Sequence, residues 1–203
     1  MNPWYDIHVH TSLSECCSDK ENQRPEKLLG IAEDMGLRLI GFSDHVWDNP
    51  EIKPNFWYEP QNSSRILAMR NNHPFDSEGI RILVGCEGET IAPGKFGVTR
   101  YLVEKLDFCL LACSHFQISD FVAQPSDTTP RGVAKHVLEF FMSAVESGLA
   151  TAIPHPMLPI GYTAIFDEML ESISNGELYD AFAAASGMNV AIEVTLAFFP
   201  PVI

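Results

Sequence analysis

Short apolar or β-branched runs alternate with segments of helical periodicity along the whole chain. That alternation confines the fold to the α/β class, with βαβ units built around a parallel sheet or barrel. The strand-like runs fall at 5–10, 38–43, 80–86, 107–113, 150–154 and 188–197. Between the first two, Pro25 suits a first helical turn, Leu28, Ile31, Ala32 and Met35 repeat at helical spacing, and Gly36 supplies a stop. A second helix is expected over about 61–71. A third has Thr129 as N-cap, Pro130 in its first turn, Val133, Val137, Phe140 and Ala144 on one face, and its end at Gly148. Phe166, Met169, Leu170 and Ile173 form a fourth stripe, broken at Asn175-Gly176, resumed from Glu177 to Ser186 and stopped by Gly187. The segment 90–100, with Pro93, Gly94 and Gly97, reads as a mobile loop. No linker or internal repeat interrupts the pattern, so residues 1–203 read as one domain.

Charge narrows the partners. The formal net charge is −14 with 13 Lys and Arg in all, which disfavours a bulk electrostatic grip on nucleic acid. A pocket holding divalent ions would still be locally positive, so a small phosphorylated substrate remains compatible. No run is long enough to span a bilayer, and Met1 to Tyr5 carry no basic region leading into an apolar stretch. The expected location is the cytoplasm. The cysteine count agrees: five thiols, with Cys16 and Cys17 adjacent, make a poor disulfide framework. Cys86, Cys109 and Cys113 lie in apolar runs and read as small hydrophobes.

Five of the seven histidines lie at or near the C-terminal ends of the expected strands. His8 and His10 close the first, His45 follows the second, His115 the fourth and His155 the fifth, while Glu87 and Glu89 end the third. In β/α barrels these ends share one face, where active sites are assembled. His8 and His10 are two apart on a strand, so both side chains leave the same face and suit one ion. Glu87 has two oxygens and can bridge two ions; Glu89, on the same face by alternation, ranks second. Asp44 precedes His45 and is placed either to orient it or to handle a proton. His155 lies between Pro154 and Pro156, which stiffen its backbone. His73 reads as a solvated helix end and His136 as a residue at the core boundary. Trp47, Phe56, Trp57 and Tyr58 are either pocket wall or ordinary packing.

The segments DIHVHTSLSE (6–15), AEDMGLRLIGFSDH (32–45), VGCEGE (84–89), LACSHF (111–116) and AIPHP (152–156) together resemble the PHP superfamily, the polymerase and histidinol phosphatase hydrolases. They occur in the family's order and span nearly the whole chain. The resemblance implies a distorted (β/α)7 barrel, two to three divalent ions (zinc, manganese or iron) and hydrolysis of phosphate esters. It implies a first ion on His8, His10 and Glu87, with Glu87 bridging to a second held by His115 and His155, and a third on His45. Cys16 stands where many members carry another histidine of the third site, and a thiolate is a competent zinc ligand. The family's last strand bears an Asp-x-His that has no counterpart before Ile203. The barrel is therefore expected to lack its last β/α unit, and the apolar ending Phe198 to Ile203 suggests either a longer polypeptide or self-association.

Two metals bridged by Glu87 would acidify a shared water for direct attack on phosphorus, with Asp44 and Glu87 as the catalytic carboxylates. The rival readings are a metal-binding barrel without turnover and a nuclease-type module.

Overall fold

Leu39–Phe42 (β2) runs between two parallel neighbours, Tyr5–Val9 (β1) and Arg81–Val84 (β3), giving a sheet of order β1-β2-β3. The computed structural model describes residues 5–72 and 79–194, so the readings for His73, for the N-terminal four residues and for Phe198 to Ile203 lie outside the described residues. The chain divides into two units, the first running to Glu89 and including 96–110, the second comprising 90–95 and the chain from Leu111 onward. The strand–helix alternation is of the α/β class, as expected.

In the first unit, Pro25–Asp34 (α1) begins on its proline and ends in a Schellman motif. Gly36 takes φ 72° there, its N–H bonds the Glu33 carbonyl, and the Leu37 N–H reaches the Ala32 carbonyl. The buried face of α1 is Leu29 and Ala32, whereas Ile31 and Met35 are exposed, so the expected stripe is rotated by about one residue. Ser63–Asn72 (α2) follows β2 and packs against β3. The expected strand 80–86 breaks at Gly85, a position where a side chain would meet the Phe108 carbonyl and ring at 2.6 Å. The chain resumes as Cys86–Ala92 (β4).

The segment 90–100 is not a loop. It continues β4, turns at Pro93-Gly94 with Gly94 at φ 75°, and returns as Lys95–Phe96 (β5). A proline followed by a left-handed glycine is what a type II turn requires. Thr99 then caps Arg100–Val103 (α3), and Cys109–Ala112 (β6) follows, wholly buried.

In the second unit, Thr129 caps Pro130–Glu146 (α4), and its expected face, Val133, Val137, Phe140 and Ala144, has no solvent exposure. This helix packs on Phe166–Glu171 (α5) and Asn175–Gly187 (α6). The break between them falls at Ser172–Ser174, not at Asn175-Gly176. Ser174 forms a capping box with Glu177, which starts α6 before the glycine and carries it through Gly187. Ala152–Ile153 (β7) pairs in parallel with Ala191–Ile192 (β8). The expected strand 188–197 is thus short among the described residues. Met188 caps α6, Asn189 turns at φ 56°, and Val194 is 90% exposed rather than facing a core. The strands of the second sheet lie in the order β5-β4-β6-β7-β8. Among the described residues no helix is long and apolar enough to cross a membrane.

Candidate metal centre

Two backbone features of the first unit assemble the site. The pairing of β1 with β2 shifts register between Asp6 and Val9, an irregularity at the HxH segment of the kind that re-aims side chains. Beyond the end of β2, the Glu87 N–H bonds the Asp44 carbonyl and the Val46 N–H bonds the Glu87 carbonyl. That parallel bridge sets Glu87 directly beside His45.

The side chains converge on one atom. Glu87 Oε2 lies 3.5 Å from His8 Nε2, 3.2 Å from His10 Nε2 and 3.2 Å from His45 Nδ1. His8 Nε2 and His10 Nε2 are 3.1 Å apart. Ligands on a tetrahedral zinc at its usual bond lengths are separated by about 3.3 Å. The three edges linking His8, His10 and Glu87 are those of one face of such a polyhedron, so this donor set fits a divalent ion. The ligand atoms of His10, Cys16 and His45 form a second group, all within 4.8 Å of one another, with Cys16 exposed. Cys16 is thus placed as a thiol ligand would be.

The electrostatics agree. Burial pulls the His10 imidazole down, yet its hydrogen bonds to Cys16 and Glu87 and their charges raise it to about 10. A site that holds a proton so firmly has a strongly negative field, which a cation would satisfy in the proton's place. Glu87 is 1% exposed, and the His45 side chain 8%.

Asp44 is buried and is turned toward the loop that follows His10. Its carboxylate accepts from the Thr11 N–H at 2.6 Å, the Thr11 hydroxyl at 2.7 Å and the Ser14 hydroxyl at 2.7 Å. This geometry ties Asp44 to the loop after His10 through Thr11 and Ser14. Thr11 and Ser14 were not singled out from the sequence; small hydroxyl residues one and four positions after His10 were the available signal. Glu89 accepts from the Tyr58 hydroxyl at 2.8 Å. Burial and the charges of Glu89 and Glu87 push that phenol well above its ordinary range.

The aromatic residues divide. Trp47 and Tyr58 are core, Phe56 is 81% exposed, and half-buried Trp57 packs edge-to-face with the His45 ring, their centroids 4.8 Å apart. A small cleft beside His45 is lined by Leu13, Asp44, Gln61, Asn62, Arg65 and Ile66.

In the second unit His115 and His155 are both 7% exposed, with ring centroids 4.9 Å apart. His155 takes φ 34°, a strained value for a side-chain-bearing residue, between its two prolines. Its N–H donates to Glu193 Oε2, and its Nδ1 meets the Ser114 hydroxyl at 2.8 Å. Ser114 is a buried partner that the sequence reading passed over. His136 packs against Phe116 and Phe140 and bonds the Ala123 carbonyl, a boundary residue as expected. Cys86, Cys109 and Cys113 are fully buried.

Comparison of the sequence with protein-family models and with curated proteins gave no match, so the PHP resemblance rests on the residues that carry it.

Proposed function

We propose that this protein is a metal-dependent phosphoesterase of the PHP type, on a distorted (β/α)7-like barrel. The observation that carries the reading is the convergence of His8, His10 and His45 on the buried Glu87 Oε2, each nitrogen within 3.2–3.5 Å of it. A first ion is assigned to His8, His10 and Glu87, and another to His45 with His10 and Cys16 in reach. The resemblance supplies a further ion for the paired His115 and His155. Bound there, divalent ions would supply a water acidic enough to serve as nucleophile near neutral pH, and positive charge against phosphoryl oxygens.

The protein's own groups do the rest. Glu87 gathers the imidazoles, and Asp44 fixes the loop between His10 and Ser14. Trp57 offers an apolar wall beside His45, and Arg65, held by the Pro60 carbonyl and by Glu15, lines the small cleft there. With 27 acidic against 13 basic side chains, the chain favours a small phosphorylated substrate over nucleic acid.

The test is to strip the protein of metal, reload it with zinc, manganese or iron, and assay phosphomonoesters and phosphodiesters against measured metal content. Monoester turnover that follows metal content is expected. Bound metal with no turnover on either class would reduce the protein to a metal-binding domain. Diester cleavage with strongly salt-sensitive nucleic-acid affinity would make it a nuclease.

A further inference from the structure

We propose that Ser14 is a positioning residue that keeps the His10 proton on Nδ1 and thereby presents Nε2 to a divalent cation. The second half of this statement rests on the metal reading above; the first half does not. An ionised carboxylate can only accept, and the Asp44 oxygens receive the Thr11 N–H, the Thr11 hydroxyl and the Ser14 hydroxyl. The single Ser14 hydroxyl proton is therefore committed to Asp44.

Two further groups meet Ser14 Oγ: the His45 backbone N–H at 3.0 Å and His10 Nδ1 at 3.1 Å. A serine oxygen has two lone pairs, and with its proton spent it can only accept from both. His10 Nδ1 is consequently a donor, whatever the charge of the ring. Nε2 is the nitrogen left to face His8 Nε2 and Glu87 Oε2. Ser14 has no solvent exposure, so water does not compete for its oxygen. One hydroxyl thus ties the HxH strand, the carboxylate before His45 and the His45 backbone into one arrangement. An outer partner of this kind sets which ligand nitrogen is free.

The experiment is two-bond proton–nitrogen NMR of the full chain with 15N-labelled histidine, recorded metal-free and after zinc titration, with zinc affinity measured in parallel. The wild type is expected to show a protected, hydrogen-bonded His10 Nδ1–H in both states and a zinc-dependent shift far larger at Nε2 than at Nδ1. Ser14→Ala should lose the protected Nδ1–H and weaken zinc binding by about 10–100-fold. Ser14→Thr should restore both, and Thr11→Val, which leaves the Ser14 hydroxyl on Asp44, should keep the protected Nδ1–H. Loss of the Nδ1–H on zinc binding would overturn the proposal, as would Ser14→Ala with unchanged zinc affinity and an unchanged Nδ1–H signal. The wild-type spectra decide the nitrogen even if Ser14→Ala misfolds. Wild-type protein that takes up no zinc refutes the metal reading, and its metal-free spectrum still decides the Ser14 contact.

Discussion

His45 Nδ1 lies 3.2 Å from Glu87 Oε2, and the same two residues are joined through their backbones as a parallel bridge. The carboxylate is therefore carried to the imidazoles by main-chain pairing and not by a flexible loop. Glu87→Gln keeps the volume and removes the charge. It should weaken zinc binding by more than the roughly 10–100-fold typical of an outer partner. Equilibrium metal titration, with far-UV circular dichroism to confirm the fold, measures this; wild-type affinity in the variant would remove Glu87 from the centre.

Metal removal should affect activity far more than folding. Phe42, Phe140, Phe141 and Leu111 are fully buried and give the chain an apolar core of its own. Saturation at about 100 times the dissociation constant adds about 2.7 kcal/mol. For a chain of this size that corresponds to a rise of roughly 5–10 °C in Tm. Chelation should lower Tm by about that much and leave the protein folded at 25 °C; melting outright at 25 °C would show that the ions build the fold.

Much of this centre was legible because strand alternation and strand ends are simple geometry. His8, His10, His45 and Glu87 needed only parallel strands whose C-termini lie together. Asp44 was harder to assign, since its true partners, Thr11 and Ser14, depend on how the loop after His10 folds back. The break before α6 was misplaced because Asn175-Gly176 looks like a turn, whereas the reciprocal bonds of Ser174 and Glu177 make it a helix start. The Pro93-Gly94 turn resembled a loop because its hairpin strand, β5, is only two residues long.

Gly85 makes the route from β3 to Glu87 possible. Gly85→Ala would place a methyl group against the Phe108 carbonyl at 2.6 Å, a backbone contact that cannot rotate away. The expected cost is about 1–3 kcal/mol, in line with overpacking elsewhere. Urea denaturation reads the stability, and zinc affinity should fall with it; a variant as stable as wild type would show that the two segments part easily.

Glu177 gives the second unit a defined acid dependence. Arg131, bonded to both its oxygens, and the Ser174 N–H and hydroxyl lower its carboxyl to about 2 from 4.5. A depressed folded value stabilises above the unfolded value and is lost as pH falls through about 2. Wild type should exceed Glu177→Gln in stability above pH 4.5, with the gap closing steadily toward pH 2. A gap independent of pH over that range would assign the contribution to the hydrogen bonds alone.

The central claim is that His8, His10 and Glu87 hold a divalent ion, and a crystal structure of zinc-loaded protein with anomalous scattering at the zinc edge tests it directly. An anomalous peak is expected about 2.0–2.2 Å from His8 Nε2, His10 Nε2 and a Glu87 carboxylate oxygen. Zinc-saturated crystals with no peak at these residues, or with one only elsewhere on the surface, would contradict it.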